Sequence, residues 1–132
     1  MKLNLYLTLI SLALLNFSFI NGPSSKDSCS HIYTVAEEMP QYPGGDKALN
    51  KYIRKNLKHP KVGLSLENGT VVVSFVVDSQ GKVNDAKILK GLMGSMNEEA
   101  LKVITNMPLW TPGKQNGSPV CVECILPIRF KK

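Results

Sequence analysis

The residues able to carry covalent or metal chemistry in this chain are few: Cys29, Cys121 and Cys124, together with His31 and His59. Cys121 and Cys124 form a C-x-x-C pair, the spacing of dithiol redox centres and of half a zinc site. The residues around the pair decide what it can do. Val120, Val122, Cys124, Leu126, Ile128 and Phe130 share one parity, and Cys121, Glu123, Ile125, Pro127 and Arg129 the other, which predicts a strand with one apolar face. Residues three apart on a strand point to opposite faces, with Cα atoms roughly 10 Å apart, whereas a disulfide tolerates no more than about 7 Å. The pair also lacks the helix N-terminus that lowers the thiol pKa in redox centres. Cys124 is therefore expected as a small core residue and Cys121 on the outer face.

A zinc site would need Cys29, His31 or His59 as further ligands, at no familiar spacing. A bond between Cys29 and Cys121, or an intermolecular one, stays open if the chain is exported into an oxidising compartment. The other constellations are thinner. Gly44-Gly45-Asp46 ahead of a helix lacks the lysine and hydroxyl of a phosphate loop and is expected to be a turn and a cap. His31 and His59 have no Ser or Cys at a nucleophile spacing. Lys47, Lys51, Arg54, Lys55 and Lys58 form a basic stripe, expected to be a solvated face, with binding to anionic envelope polymer as the other reading. No enzyme activity, cofactor or metal is expected.

The elements that must position these residues are legible in outline. Asp46 is the expected N-cap of a helix carrying Leu49, Ile53 and Leu57, which Pro60 stops, with Lys55, Lys58 and His59 suited to its C-terminus. A β-branched run from Thr70 to Val77, a turn at Asp78-Ser79-Gln80-Gly81 and a polar strand from Lys82 to Lys90 predict a hairpin whose second strand is a sheet edge. Asn97 is the expected N-cap of a second helix with an Ala100, Val103, Ile104, Met107 stripe. Leu109 to Pro119 is expected as a loop, and Val120 to Phe130 as the last strand. The predicted order is α-β-β-α-β, an α+β fold with two helices packed on one face of a three-stranded antiparallel sheet.

The 132 residues, 43% hydrophobic and 20% charged, suit one globular core. The run from Leu3 to Ile20 bears no charge and follows Lys2, the layout of an export signal or a membrane anchor. Residues 1–22 are thus expected to be a signal peptide or anchor, 23–34 a polar leader and 35–132 the domain. Export to the periplasm, or tethering to the inner membrane by residues 3–20, turns the formal charge of +6 away from nucleic acid as a partner.

Three stretches together resemble a known family: MPQYPGGDKALNKYIRKNLKHP, GTVVVSFVVDSQGKVNDAKILKG and NEEALKVITNMPLWTPGKQNGSPVCVECILPIRF. They are similar to the C-terminal domain of the energy transducer TonB, especially the form common in Bacteroidetes. The resemblance covers Val35 to Phe130, and its most specific parts are Pro43-Gly44-Gly45, Phe75-Val76-Val77-Asp78 with Gly81, Met107-Pro108-x-Trp110-x-Pro112-Gly113 and Pro127-Ile128-x-Phe130. It implies a periplasmic module that docks the TonB-box peptide of outer-membrane receptors as an added strand. The implied partner-binding residues are Val120, Cys121, Val122, Glu123, Cys124, Ile125, Leu126 and Arg129. The same free edge leaves a homodimer open.

If anchored, such a chain is expected to meet ExbB/ExbD-type motor proteins. The run Leu3 to Ile20 lacks the histidine common in that family's span, and the leader is short and not Pro-rich. The chain alone is therefore expected not to couple the proton gradient to a distant receptor. The alternative from another class is a small exported thiol redox or metal-binding protein using Cys121 and Cys124.

Overall fold

In the computed structural model, which describes residues 29–60 and 68–131, the elements run β1 (Ile32–Tyr33), α1 (Gly45–Asn56), β2 (Gly69–Val77), β3 (Val83–Lys90), α2 (Gly94–Thr105), β4 (Gly113–Gln115) and β5 (Ser118–Phe130). The expected signal or anchor over residues 1–22 and the leader up to residue 28 lie outside the described residues. The sheet order is β1-β5-β2-β3, with β4 paired to β5. β2 is central because both its faces are apolar enough to be buried, and β5 runs antiparallel to it from Gly69 opposite Phe130 to Val77 opposite Val122.

Val71, Val73, Phe75 and Val77 of β2, with Ile128 and Phe130 of β5, form the sheet side of the core. Leu49, Ile53 and Leu57 on or just beyond α1, and Ala100, Val103 and Ile104 of α2, cover them. Each of these side chains other than that of Ala100 contributes roughly 1.5–3 kcal/mol on burial. The Tyr52 hydroxyl ties the two helices by donating to the Val103 carbonyl at 3.0 Å. Burial, and then the neighbouring Tyr42, push its pKa up.

The α+β class stands as expected, but the sheet is larger and mixed. β1 adds to β5 in parallel, Ile32 opposite Cys121 and Tyr33 opposite Val122. The stretch expected as a loop folds back as a hairpin, Gly113 pairing with Val120 and Gln115 with Ser118. Asn116 and Gly117, at φ 51° and 75°, make the two-residue turn whose twist suits a hairpin, and Asn-Gly was its local signal.

The helix starts also differ from expectation. Tyr42-Pro43-Gly44-Gly45 closes as a turn, the Gly45 N–H donating to the Tyr42 carbonyl at 2.8 Å. Pro43 takes the second position and Gly44, at φ 85° and ψ 2°, the third, where a positive φ requires glycine. Gly44, not Asp46, caps α1, and Asp46 lies in the first turn where its charge suits the helix dipole. The helix ends at Asn56, before Pro60, as Leu57 turns into the core with an extended backbone. Asn97 lies inside α2, and its Oδ1 reaches back to accept the Leu92 N–H at 2.9 Å, closing the β3–α2 connection.

The β2–β3 turn is held by Asp78, which is buried. Its carboxylate accepts the Gln80 and Lys82 N–H groups and the Asn84 side-chain amide, each at 2.9 Å. Gly81 then presents its carbonyl to the Trp110 N–H at 2.8 Å. This brings Trp110 edge-to-face onto Phe75, with ring centroids 5.5 Å apart. The loop residue of the sequence reading is therefore a core residue.

Candidate functional site

A sheet offers main-chain hydrogen bonds to a partner only where a strand is unpaired. The two flanks of this sheet differ. β3 is broken by register shifts against β2, has Asp85 at φ 50° and carries Lys87 and Lys90 along its length. Bulges and lysines are the usual means of blunting an edge. On the opposite flank, no described strand pairs with Glu123–Arg129 on the side away from β2.

Pro127 shows how that open stretch is aimed. A proline is accepted within a strand where its missing N–H faces no partner, and N–H groups alternate sides along a strand. Glu123, Ile125 and Arg129 therefore turn their main-chain groups outward with Pro127. Ile125 is 61% exposed, so its side chain, like its main-chain groups, is accessible from outside the chain.

Beside this edge runs a groove of about 660 Å³ between α1 and β5. Ile53, Leu57 and Leu126 supply its apolar floor, and Arg54, Arg129 and Lys131 its charged rim. Among the described residues no carboxylate lines it. α1 thus turns one residue of its basic stripe, Arg54, toward the edge of β5, while Lys47 and Lys51 lie elsewhere on the helix.

The structure divides the residues expected to meet a partner. Val120 is paired with Gly113. Cys121 is bonded to Cys29, with Cα atoms 5.7 Å apart, and is buried; Val122 is buried with Tyr33 opposite it. Cys121 keeps the outer face expected of it, but the leader folds over that face and covers it, and of the two pairings left open the bond to Cys29 is the one formed. Glu123 is half-buried and accepts the Ser74 hydroxyl at 2.6 Å. Ile125 and Arg129 are exposed, and Leu126, packed against the core, lines the floor of the groove.

Cys124 stands opposite Phe75 on the core side of β5. It is a free thiol, and burial, then the adjacent Glu123 charge, push its pKa from 9.0 to about 11. The C-x-x-C pair is thus split between a disulfide on one face and a protonated thiol on the other. Among the described residues no cluster of His, Cys, Asp and Glu is arranged to hold a metal ion. An alkylating reagent at pH 8 is expected to modify native Cys124 about 100-fold more slowly than a thiol of ordinary pKa, because two pKa units remove that share of thiolate. The rate should climb tenfold per pH unit until about pH 11. Mass-spectrometric alkylation kinetics check this, and fast modification at pH 8 by a folded chain would contradict the buried placement.

The family described as Gram-negative bacterial TonB protein C-terminal matches this chain over residues 64–131. Among solved structures, the NMR solution structure of the Helicobacter pylori TonB C-terminal domain is similar to it, at 21% identity. That match covers 68% of this chain and 88% of that one, with a TM-score of 0.42. No curated protein matches.

Proposed function

The chain belongs to the TonB C-terminal family, and from that premise we propose that it is an exported binding module whose β5 edge docks an extended N-terminal peptide of an outer-membrane receptor. The observation that carries this reading is the stretch Glu123–Arg129, whose side away from β2 is met by no other described strand, beside an apolar, basic-rimmed groove. A peptide added there gains main-chain bonds along β5, sets alternate side chains into the groove and meets Arg54, Arg129 and Lys131 with its carboxylates. About five hydrogen bonds at roughly 0.5–1.5 kcal/mol each, less the ordering of the peptide, give micromolar to millimolar affinity. Such a grip suits a partner that must be released. The activity is binding, not catalysis.

The compartment in this reading is the periplasm, whether the N-terminal segment is removed or retained as an inner-membrane anchor. The Cys29–Cys121 bond supports an oxidising compartment, in which nucleic acid is not the partner of the basic surface. ExbB/ExbD-type motor proteins belong to the proposal only for the anchored form, and a homodimer would compete for the same β5 edge. The reading built on Cys121 and Cys124 as a redox pair has no geometric support, since the two point to opposite faces.

An NMR titration of the chain with synthetic peptides copying receptor N-termini tests the proposal. Amide shifts are expected to concentrate at Glu123 to Arg129 and at Arg54, with β3 unmoved. Shifts confined to β3, or none at β5 for every peptide, would remove it.

A further inference from the structure

The open edge of β5 begins where an intrachain clasp ends. Ile32 and Tyr33 of β1 occupy the edge positions at Cys121 and Val122, and Cys29, just upstream of β1, is bonded to Cys121 itself. Downstream the segment is fixed separately. Ala36 is buried, the Glu37 N–H donates to Gln115 Oε1 at 3.0 Å, and Glu38 and Gln41 pair with Lys114 and Thr111. β1 is thus a two-residue strand held at both ends, and the disulfide is its upstream hold. Ile32 is 43% exposed, so apolar burial adds little to keep it seated.

We infer that the Cys29–Cys121 bond is a reducible clasp that keeps β1 on the docking edge, and that its opening by a dithiol donor extends the free edge from Glu123–Arg129 to Cys121–Arg129. This rests on the docking reading and assigns a regulation to that same site. Cys29 is half-buried and Cys121 only 3% exposed, so the donor thiolate attacks the Cys29 sulfur. A donor–Cys29 bond forms, the Cys29–Cys121 bond breaks, and Cys121 leaves as a thiolate that takes up a proton. The donor's second thiolate then attacks the donor sulfur of the mixed disulfide and releases Cys29, which is protonated in turn. Two electrons pass, the donor dithiol ends as a disulfide, and the chain ends with two thiols.

Cys124 does not divert the exchange. It lies on the other face of β5 from Cys121, roughly 10 Å away along the strand, and burial keeps it protonated. Among the described residues, Cys121 can therefore re-form a bond within the chain only with Cys29. The third cysteine does not compromise the reversibility of the clasp.

The test compares the full chain oxidised, the same chain reduced with a phosphine, and the Cys29→Ser variant. Hydrogen exchange at Ile32 and Tyr33 is expected to rise about tenfold or more in the last two, while Val71 to Val77 keep their protection. Receptor N-terminal peptides that bind the oxidised chain are expected to bind about tenfold tighter after opening, the worth of one or two further main-chain hydrogen bonds. New shifts should then appear at Cys121 and Val122. Equal protection of Ile32 and Tyr33 and equal affinity in all three samples would overturn the clasp. So would loss of protection throughout β2 on reduction, which would make the bond a general staple. Release of β1 with no peptide binding in any sample would instead defeat the docking reading and leave the opening of β1 established.

Discussion

Gly81→Ala is expected to leave most of the chain unfolded or severely destabilised, by roughly 3–5 kcal/mol, a large part of the ~5–15 kcal/mol that a domain of this kind possesses. A Cβ at Gly81 would lie 2.0 Å from the Trp110 carbonyl oxygen, a backbone atom that cannot rotate aside. The residue also sits at φ 86°, where any other side chain carries strain. Relief of the clash would push Trp110 away from Phe75 and break the hydrogen bond from its N–H to the Gly81 carbonyl. The loss thus spreads from a turn to the core. Urea denaturation followed by tryptophan fluorescence measures it, since Trp110 is the single tryptophan. Gln80→Ala, one residue earlier and exposed, is the control and should stay within about 0.5 kcal/mol of the parent. A Gly81→Ala chain as stable as that control would show that the Trp110 contact is not tight.

Ile125→Pro is expected to weaken receptor-peptide binding by roughly 2- to 12-fold while the domain remains folded. The substitution removes an N–H from the open side of β5, where a docking strand would accept it, and each lost main-chain bond is worth about 0.5–1.5 kcal/mol. The ladder to β2 uses the other parity, and Pro127 already shows that β5 accommodates the ring at this one. Ile125→Ala separates backbone from side chain: it keeps the N–H and should bind within a few fold of the parent. Peptide titration together with thermal unfolding reads both quantities. If Ile125→Pro binds as well as Ile125→Ala, docking does not use the β5 backbone.

These two sites were legible to different degrees. The Gly81 turn could be read directly, because Asp78, Gly81 and the β-branched run before them are local signals; that its carbonyl meets Trp110 could not, since nothing near Trp110 in the chain points to the turn. The open edge was half legible. The alternation from Val120 to Phe130 separated Cys124, Leu126, Ile128 and Phe130, which meet the core, from Glu123, Ile125, Pro127 and Arg129, yet could not say which main-chain groups the chain itself would use. Val120 is taken by Gly113, and Cys121 and Val122 by Ile32 and Tyr33, so the free stretch is shorter than expected. Asp46 and Asn97 show the same limit at the helix starts. Both are good caps by residue type, but Gly44 in its turn and the loop at Leu92 decided where the helices begin.

By itself, then, the sequence determined the helices, the central hairpin, the two faces of β5 and the family, because periodicity, turn chemistry and ordered motifs act over a few residues each. Only the tertiary structure decided that Cys29 meets Cys121 across a separation of 92 residues, that the leader supplies a parallel strand, and that Arg54 faces Arg129 and Lys131 across a groove. Those pairings depend on how distant segments fall together once the core closes. Local patterns carry no record of them.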